Sequence, residues 1–241
     1  METGKVLILK TVNAQGLSHG GFAWPEIGGE VVAPDWDSTP ICGGGLHGAL
    51  WGEGDGELFD FSSDAIWLVF EADEYVNLGG KVKAPRGIVR ARGDRESVTA
   101  WLAKKRPDAS IIGGTSTAGN HGTSTAGDGG TSSAGYRGTA TAGAGGTAAA
   151  GNEGTAAAGY RGTATAGDGG TAAAGDRGTA AAGDGGTSTA GDGGIILIKY
   201  YDYAASRKRI CVGYVGEDGI KANTPYRCEG GKLIPVNKES E

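Results

Sequence analysis

The sequence is poor in proline and cysteine, and it has no long hydrophobic run. It carries 7 prolines and 3 cysteines in 241 residues, and no proline lies between Gly114 and Gly193. No apolar run approaches the roughly 18 residues that suggest a transmembrane helix, so we expect no membrane span. No charged-then-apolar leader precedes Lys5, so we expect no signal peptide and a cytoplasmic location.

Signatures of common catalytic and metal sites are also missing. Three histidines without a Cys-x-x-Cys pair argue against a zinc site. The glycines at 43–45 are not followed by the Gly-Lys-Ser/Thr of a phosphate loop. Glu53, Asp55 and Glu57 lack the spacing of a known calcium loop. We therefore predict no metal and no cofactor.

The cysteines and the charge balance point to a compartment and exclude one class of partner. Cys42, Cys211 and Cys228 form an odd, sparse set, which fits a reducing cytoplasm better than a disulfide framework. Cys211 and Cys228 could face each other across strands, and we expect them to be free buried thiols. The formal net charge of −6 argues against non-specific nucleic-acid binding.

Glycine is abundant and forms part of a tandem octapeptide. Ten octets from Gly114 to Gly193 each begin with Gly-Thr and carry Ala-Gly at the fifth and sixth positions. Two glycines per octet would each cost a helix about 1 kcal/mol, and collagen needs a period of three with proline. The fixed period predicts a stacked β-solenoid. A flexible Gly/Ala/Thr/Ser linker is the alternative.

The alternation of side chains along a strand assigns the two faces of each octet. The third and fifth positions are always Ser or Ala and should point inward, whereas the second and fourth should point outward. Positions seven and eight vary and are predicted to be exposed corners. We predict two octets per coil, because methyl-sized side chains fill only the thin gap between facing sheets. This coil places Tyr136 and Tyr160 on opposite edges. The alternative is a triangular coil of three octets, in which these two tyrosines, twenty-four residues apart, would stack on each other.

The outward threonines are the predicted binding surface. One face carries the row Thr123, Thr139, Thr155, Thr171 and Thr187. The other face carries Thr115, Thr131, Thr147, Thr163 and Thr179. Such rows on a flat sheet could order water, which is the basis of an ice-binding alternative. The corner pairs Tyr136-Arg137 and Tyr160-Arg161 are candidate partner contacts.

The flanks of the repeat have the composition of ordinary globular sequence. Residues 1–110 predict a small, mainly β, α+β domain whose helix over 95–105 begins at the capping residue Asp94. Its predicted strands include 65–72, 75–83 and 87–92. Residues 195–241 predict a small β cap with a hairpin at Gly230-Gly231. The overall prediction is a mainly β protein with three parts, at 1–110, 111–194 and 195–241.

Three features together carry a family resemblance. They are Cys42 followed by Gly45-Leu46-His47, the short Gly/Ala/Ser/Thr repeats, and the segment from Val215 to Tyr226, which contains Gly-Glu-Asp-Gly-Ile-Lys. The chain thereby resembles a family of uncharacterised bacterial and prophage proteins, which implies a phage or prophage origin and no particular reaction. The repeat alone is weakly similar to those of ice nucleation proteins and of trimeric autotransporter adhesin heads.

Cys42 and His47 are the weak catalytic candidates, as a nucleophile and its base. The alternative is that the intervening glycines form a bend and His47 is a structural hydrogen-bonding residue. The Gly-Leu-His element also resembles that of small ADP-ribosyltransferase folds, which implies nucleotide-related activity with phosphate contacts from basic residues between Lys81 and Arg95. No catalytic glutamate can be assigned.

These observations favour a non-enzymatic structural or binding solenoid. Its predicted partners are another protein or a second copy of the chain, contacted through the solenoid faces. The alternatives are an N-terminal domain with nucleotide-related activity on a rigid spacer, and a water-ordering threonine surface.

Overall fold

A computed structural model describes residues 2–236, and most of its regular structure is β-strand. The chain separates into two compact units, the first ending at Thr115 and the second beginning at Ser116. The repeat and the C-terminal segment share the second unit, so the predicted boundary at 194 stays a prediction. Across the described residues, no helix has the length and apolar character needed to cross a membrane.

The first unit is built on one six-stranded sheet. Its strands, in sheet order β1-β3-β5-β4-β6-β2 with β1 also pairing β4, are β1 (Glu2–Val12), β2 (Glu30–Val32), β3 (Leu46–Leu50), β4 (Ile66–Asn77), β5 (Val82–Ala84) and β6 (Arg86–Gly93). The sequence suggested separate strands at 65–72 and 75–83, which is wrong. A single β4 continues to Asn77 because β1 pairs along it from Val12 to Glu2.

Both faces of this sheet are covered by apolar side chains. Leu68 and Phe70 belong to the core on one face, whereas Trp67 and Val69 point to the core on the other. The second core includes the apolar side of helix α1 (Arg95–Ala103). The predicted cap of α1 is confirmed, since the Asp94 side chain accepts the Ser97 N–H at 2.8 Å. Successive side chains of β4 point to opposite faces of the sheet, and this alternation explains why an apolar core lies on each face.

The repeat is a β-solenoid with two octets in each sixteen-residue coil, as predicted. Every octet contributes one strand: β7 (Thr115–Ala118), β8 (Thr123–Ala126), β9 (Thr131–Ala134), β10 (Thr139–Ala142), β11 (Thr147–Ala150), β12 (Thr155–Ala158), β13 (Thr163–Ala166), β14 (Thr171–Ala174), β15 (Thr179–Ala182) and β16 (Thr187–Ala190). Even-numbered strands form one parallel sheet and odd-numbered strands the other. Thr139, for example, pairs with Thr123 and Thr155. The linker alternative is wrong.

The interior consists of methyl and hydroxymethyl groups. Third-position alanines such as Ala140, Ala156 and Ala172 are fully buried. Two interior serines satisfy their hydroxyls locally, because Ser124 Oγ lies 2.6 Å from Ser132 Oγ across the gap and Ser132 Oγ donates to Ser124 O. The inward assignment of the third and fifth positions is therefore confirmed, with no buried hydroxyl left unpaired in these two residues.

Two kinds of residue form the corners between strands. Position eight has a positive φ in all ten octets, including non-glycine residues such as Arg137 (51°) and Glu153 (55°). The invariant glycines have another reason: a Cβ on Gly151 would lie 2.8 Å from backbone atoms of Gly135 and Tyr136 in the preceding coil. Invariance at positions one and six thus follows from close backbone approach.

Side chains at position seven of the octet form hydrogen bonds from coil to coil. The sequence did not reveal these bonds, because the residue type at this position varies. In five octets an Asn or Asp there accepts the backbone N–H of the residue sixteen positions later. Asn120 accepts from Tyr136 at 3.0 Å, and Asp168 accepts from Asp184 at 2.9 Å. Asp128, Asn152 and Asp176 do the same. The side chain satisfies a corner N–H that the strand ladder does not reach.

The C-terminal segment replaces the parallel ladder with antiparallel strands. These are β17 (Ile195–Asp202), β18 (Arg207–Tyr214), β19 (Tyr226–Glu229) and β20 (Lys232–Pro235). β17 continues the odd sheet and pairs with β18, while β19 pairs with β16 at the end of the even sheet. The interior changes here from Ala to Ile196, Ile198 and Tyr226. The expected hairpin at 230–231 joins β19 to β20.

The prediction of free thiols at Cys211 and Cys228 is wrong. The two residues form a disulfide between β18 and β19, which belong to different sheets, with a Cα–Cα distance of 6.2 Å. The two cysteines do face each other across strands, but they are bonded rather than free. Their spacing lies within the usual disulfide range, and Cys42 is the free cysteine.

A matched pair of glycine substitutions tests the role of close approach. Gly151→Ala should lower the free energy of unfolding by about 3 kcal/mol or more, because backbone atoms of the preceding coil must move. Gly145→Ala should cost only about 1 kcal/mol, since its positive φ of 64° is strained for Ala but its Cβ would meet nothing within 4 Å. Urea denaturation measures both, and equal costs would contradict this account.

Candidate functional site

The predicted threonine row lies on one sheet, in register from coil to coil. Thr139 pairs with Thr155, which in turn is followed by Thr171 on the next coil. Thr123, Thr139, Thr155 and Thr171 are exposed, and Thr187 is partly buried. The second row, from Thr115 to Thr179, occupies the opposite sheet in the same way. Neighbouring threonines in a row are about 4.8 Å apart, the spacing of paired strands.

Both faces of the solenoid are uncharged. The ten repeat strands consist entirely of Thr, Ser and Ala, so each face presents only hydroxyl and methyl groups between its edges. The fourth position is less regular than the second: on the even sheet it is Thr125, Thr141, Ala157, Ala173 and Thr189. Each face therefore has one complete threonine row beside one interrupted row.

The first Tyr-Arg pair belongs to a chain of contacts along one edge. The Tyr136 ring packs edge-to-face on His121 with 5.7 Å between centroids, and its hydroxyl donates to Glu153 Oε1 at 3.1 Å. Arg137 stacks on Tyr136 and forms an ion pair with Glu153 at 2.6 Å. These side chains link three successive coils. A role in partner binding stays a prediction.

The second Tyr-Arg pair lies on the opposite edge, as the two-octet coil requires. Arg161 stacks on the Tyr160 ring at 5.2 Å, and Arg177 on the next coil donates to the Tyr160 hydroxyl at 3.3 Å. The two tyrosines are more than one third exposed. Each edge thus offers one exposed aromatic ring that is held by cationic neighbours.

In the first unit, Cys42 and His47 contact different partners. Cys42 Sγ accepts a hydrogen bond from Lys81 Nζ at 3.0 Å, and this bond, followed by the positive charge of Lys81, lowers the pKa of the exposed thiol. His47 Nδ1 lies 3.1 Å from Gly45 O. Burial, followed by the charges of Lys81 and Lys10, lowers the pKa of His47. A nucleophile–base role for the pair stays a prediction.

The loop that carries Cys42 is held by a buried lysine. Lys83 has no exposed surface, and its Nζ donates to Ile41 O and to Gly43 O, both at 2.8 Å. Two carbonyl oxygens thus compensate a charge that would otherwise be costly to bury. Lys83 therefore fixes the backbone at Ile41 and Gly43, at the start of the glycine run. This role could not be predicted from the sequence, because the partners of Lys83 are backbone atoms.

The basic residues between Lys81 and Arg95 do not form one face. Arg90 bonds to Glu71 at 3.0 Å, whereas Arg92 is partly buried and donates to Trp24 O and Pro25 O. Regular alternation would place Arg90 and Arg92 on one face. The register of β6 against β4 shifts between Val69 and Phe70, at Arg90, however, and the two side chains contact different partners. They therefore do not supply a common phosphate surface. Of the group, only Lys81 and Lys83 lie close to the Cys42 loop.

The solenoid and its faces define a repeat β-solenoid protein. Over 112 residues the chain is 34% identical to ice nucleation protein InaU of Pantoea ananas, a match that covers 45% of this chain and 11% of that protein. An ice nucleation protein of Pseudomonas syringae pv. syringae matches to the same extent, over 9% of its length. The chain thus spans about a tenth of these relatives. No family model and no solved structure matches.

These matches agree with the resemblance of the repeat to ice nucleation proteins. The prophage family and the trimeric autotransporter resemblance stay predictions.

Alkylation of Cys42 as a function of pH tests whether Lys81 lowers the pKa of this thiol. A lowered thiol pKa leaves more thiolate at neutral pH and thus a faster reaction. Lys81→Met should raise the pKa of Cys42 and move the iodoacetamide rate profile to higher pH. Lys105→Met, which removes the same charge beside Trp101, should leave the profile unchanged. An identical profile for wild type and Lys81→Met would show that Lys81 does not control the thiol.

Proposed function

We propose that this chain is a non-enzymatic structural or binding protein that acts through the flat faces of its solenoid. The observation that carries the proposal is the in-register threonine row, which is exposed at Thr123, Thr139, Thr155 and Thr171 and partly buried at Thr187. Hydroxyl and methyl groups on a fixed backbone favour contact with a flat, regular partner over chemical catalysis.

The size of a face sets the strength of such a contact. Five strands of four residues cover roughly 300 Å², from strand spacings of about 4.8 Å and rises of about 3.3 Å per residue. A stable protein interface buries about 800 Å² on each partner. One face alone therefore supports a weak contact, and the proposed partner is a second copy of the chain or another repetitive surface that adds several such contacts.

We also propose a phage or prophage origin for the chain. The segment from Val215 to Tyr226 after the repeats supports this origin through the resemblance described above. The disulfide between Cys211 and Cys228 argues against the expected cytoplasmic location, because such bonds are typical of oxidising compartments.

Sedimentation velocity over a concentration series tests face-to-face association. Wild-type protein should show weak, concentration-dependent self-association. Thr155→Lys, which puts a charge in the middle of the face, should abolish it, because association would desolvate an unpaired ammonium group.

Ala144→Lys is the matched control, since it places the same charge at an edge corner. It should associate like wild type. A wild-type protein that stays monomeric throughout the series, or equal effects of the two variants, would contradict self-association through this face.

Water ordering is the second candidate, and two observations favour it. The complete threonine rows repeat hydroxyl and methyl groups at a constant spacing, and the relatives that match the chain are named ice nucleation proteins. On this hypothesis the face binds the ordered surface of ice rather than protein.

Thermal hysteresis and droplet freezing distinguish this candidate from protein binding. An ice-binding face should shape ice crystals and produce hysteresis that Thr155→Lys removes and Ala144→Lys retains. Freezing behaviour equal to that of buffer would exclude water ordering while leaving protein association to be judged by sedimentation.

A further inference from the structure

Two neighbouring cavities in the first unit share part of their walls. The larger, of about 450 Å³, is lined in part by the turn at 18–22 and by the glycines at 43–45. The smaller, of about 110 Å³, includes Lys81 and Phe59. Lys10 of β1 and His47 of β3 line both. The larger volume lies within the range of about 300–1,000 Å³ that is usual for small-molecule sites.

The region where the two cavities meet is positively charged, because Lys81 of the smaller cavity lies near the shared Lys10. Within residues 2–236, neither Lys10 nor Lys81 forms an ion pair with a carboxylate. Lys10 Nζ instead lies 5.6 Å from the centre of the Trp24 ring. Burial, followed by the charge of Lys81, lowers the pKa of Lys10 to about 8. An anion between the two ammonium groups would remove this mutual repulsion.

His47 adds an unsatisfied polar atom to the same wall. Its Nε2 is buried and has no hydrogen-bond partner among the described residues, whereas its Nδ1 is held by Gly45 O. A buried polar atom without a partner is unfavourable. Because Gly45 O can only accept, Nδ1 carries the proton and Nε2 of the neutral ring is an acceptor. A ligand hydroxyl would satisfy Nε2 by donating to it, and a phosphate oxygen would satisfy it by accepting from the ring once the bound anion has protonated His47. The orphaned nitrogen is therefore independent of the lysines in pointing to a ligand.

The larger cavity also offers an apolar wall. Phe22 and Trp24 line it, with their rings packed edge-to-face at 6.0 Å. Asp35 lines it as well, but its Oδ1 already accepts the Gly45 N–H at 3.1 Å. The wall of the larger cavity thus combines the cationic Lys10 with the aromatic rings of Phe22 and Trp24. This combination suits a ligand that has an anionic group and a flat apolar part.

We propose that these cavities bind a small phosphate-bearing molecule of the nucleoside monophosphate type, with its phosphate between Lys10, His47 and Lys81. The base of such a ligand fits the side that carries Phe22 and Trp24. This site is separate from the solenoid faces, so it extends the proposed function without depending on it.

Isothermal titration calorimetry of the full-length protein tests the proposal with three probes. Adenosine monophosphate should bind, inorganic phosphate should compete with it, and adenosine should bind at least about tenfold more weakly, because it lacks the charge-assisted hydrogen bonds. Equal affinities for adenosine and its monophosphate, or no heat from either phosphate-bearing probe, would overturn the assignment.

Variants with matched charge changes separate site contacts from general electrostatics. Lys81→Gln should weaken adenosine monophosphate binding about tenfold or more, and Lys10→Gln should do the same if circular dichroism shows that it folds. Lys5→Gln removes the same charge from an exposed position of β1 and should leave the affinity unchanged. Unchanged binding in Lys81→Gln, or equal losses in Lys81→Gln and Lys5→Gln, would show that the phosphate does not lie between these residues.

Discussion

The short distance between stacked backbones is the constraint on which the repeat depends. Successive coils approach so closely at the corners that a Cβ on Gly138 would lie 2.9 Å from Gly122 O. The gap between the sheets admits only Ala and Ser. Little apolar area is buried per residue, so continuous backbone hydrogen bonds and dense packing of small groups must supply cohesion. The exact register of successive strands is part of the same geometry.

Much of the repeat could be predicted from the sequence because its contacts are periodic. Each octet meets the octet two places on, so one strand assignment for Thr139–Ala142 determines its neighbours above and below. The inward alanines and the opposite positions of Tyr136 and Tyr160 followed from alternation and from the size of methyl groups. The hydrogen bonds of Asn and Asp at position seven could not be predicted in this way, because Tyr and Ala also occur at that position and interrupt the pattern.

Contacts between distant segments were harder to predict than the repeat. Cys211 and Cys228 come together only because β18 and β19 close different sheets at one end of the stack. Lys10 and His47 meet because β1 pairs with β3. No local pattern in the sequence specifies such strand pairing. The sequence therefore indicated Cys42 and His47 as candidate site residues, because they are close in the chain, but it did not indicate Lys10. The interaction of Cys42 with Lys81 was concealed for the same reason.

The alternation of octets between two sheets also affects how the protein can change in length. The strand that begins at Ile195 continues the odd sheet, and β19 completes the even one. Losing a pair of octets would remove one whole coil and keep every later strand on its sheet. Losing a single octet would transfer all later strands, with their threonine rows, to the opposite side. The solenoid can thus gain or lose sixteen residues at a time without moving any threonine row to the other sheet.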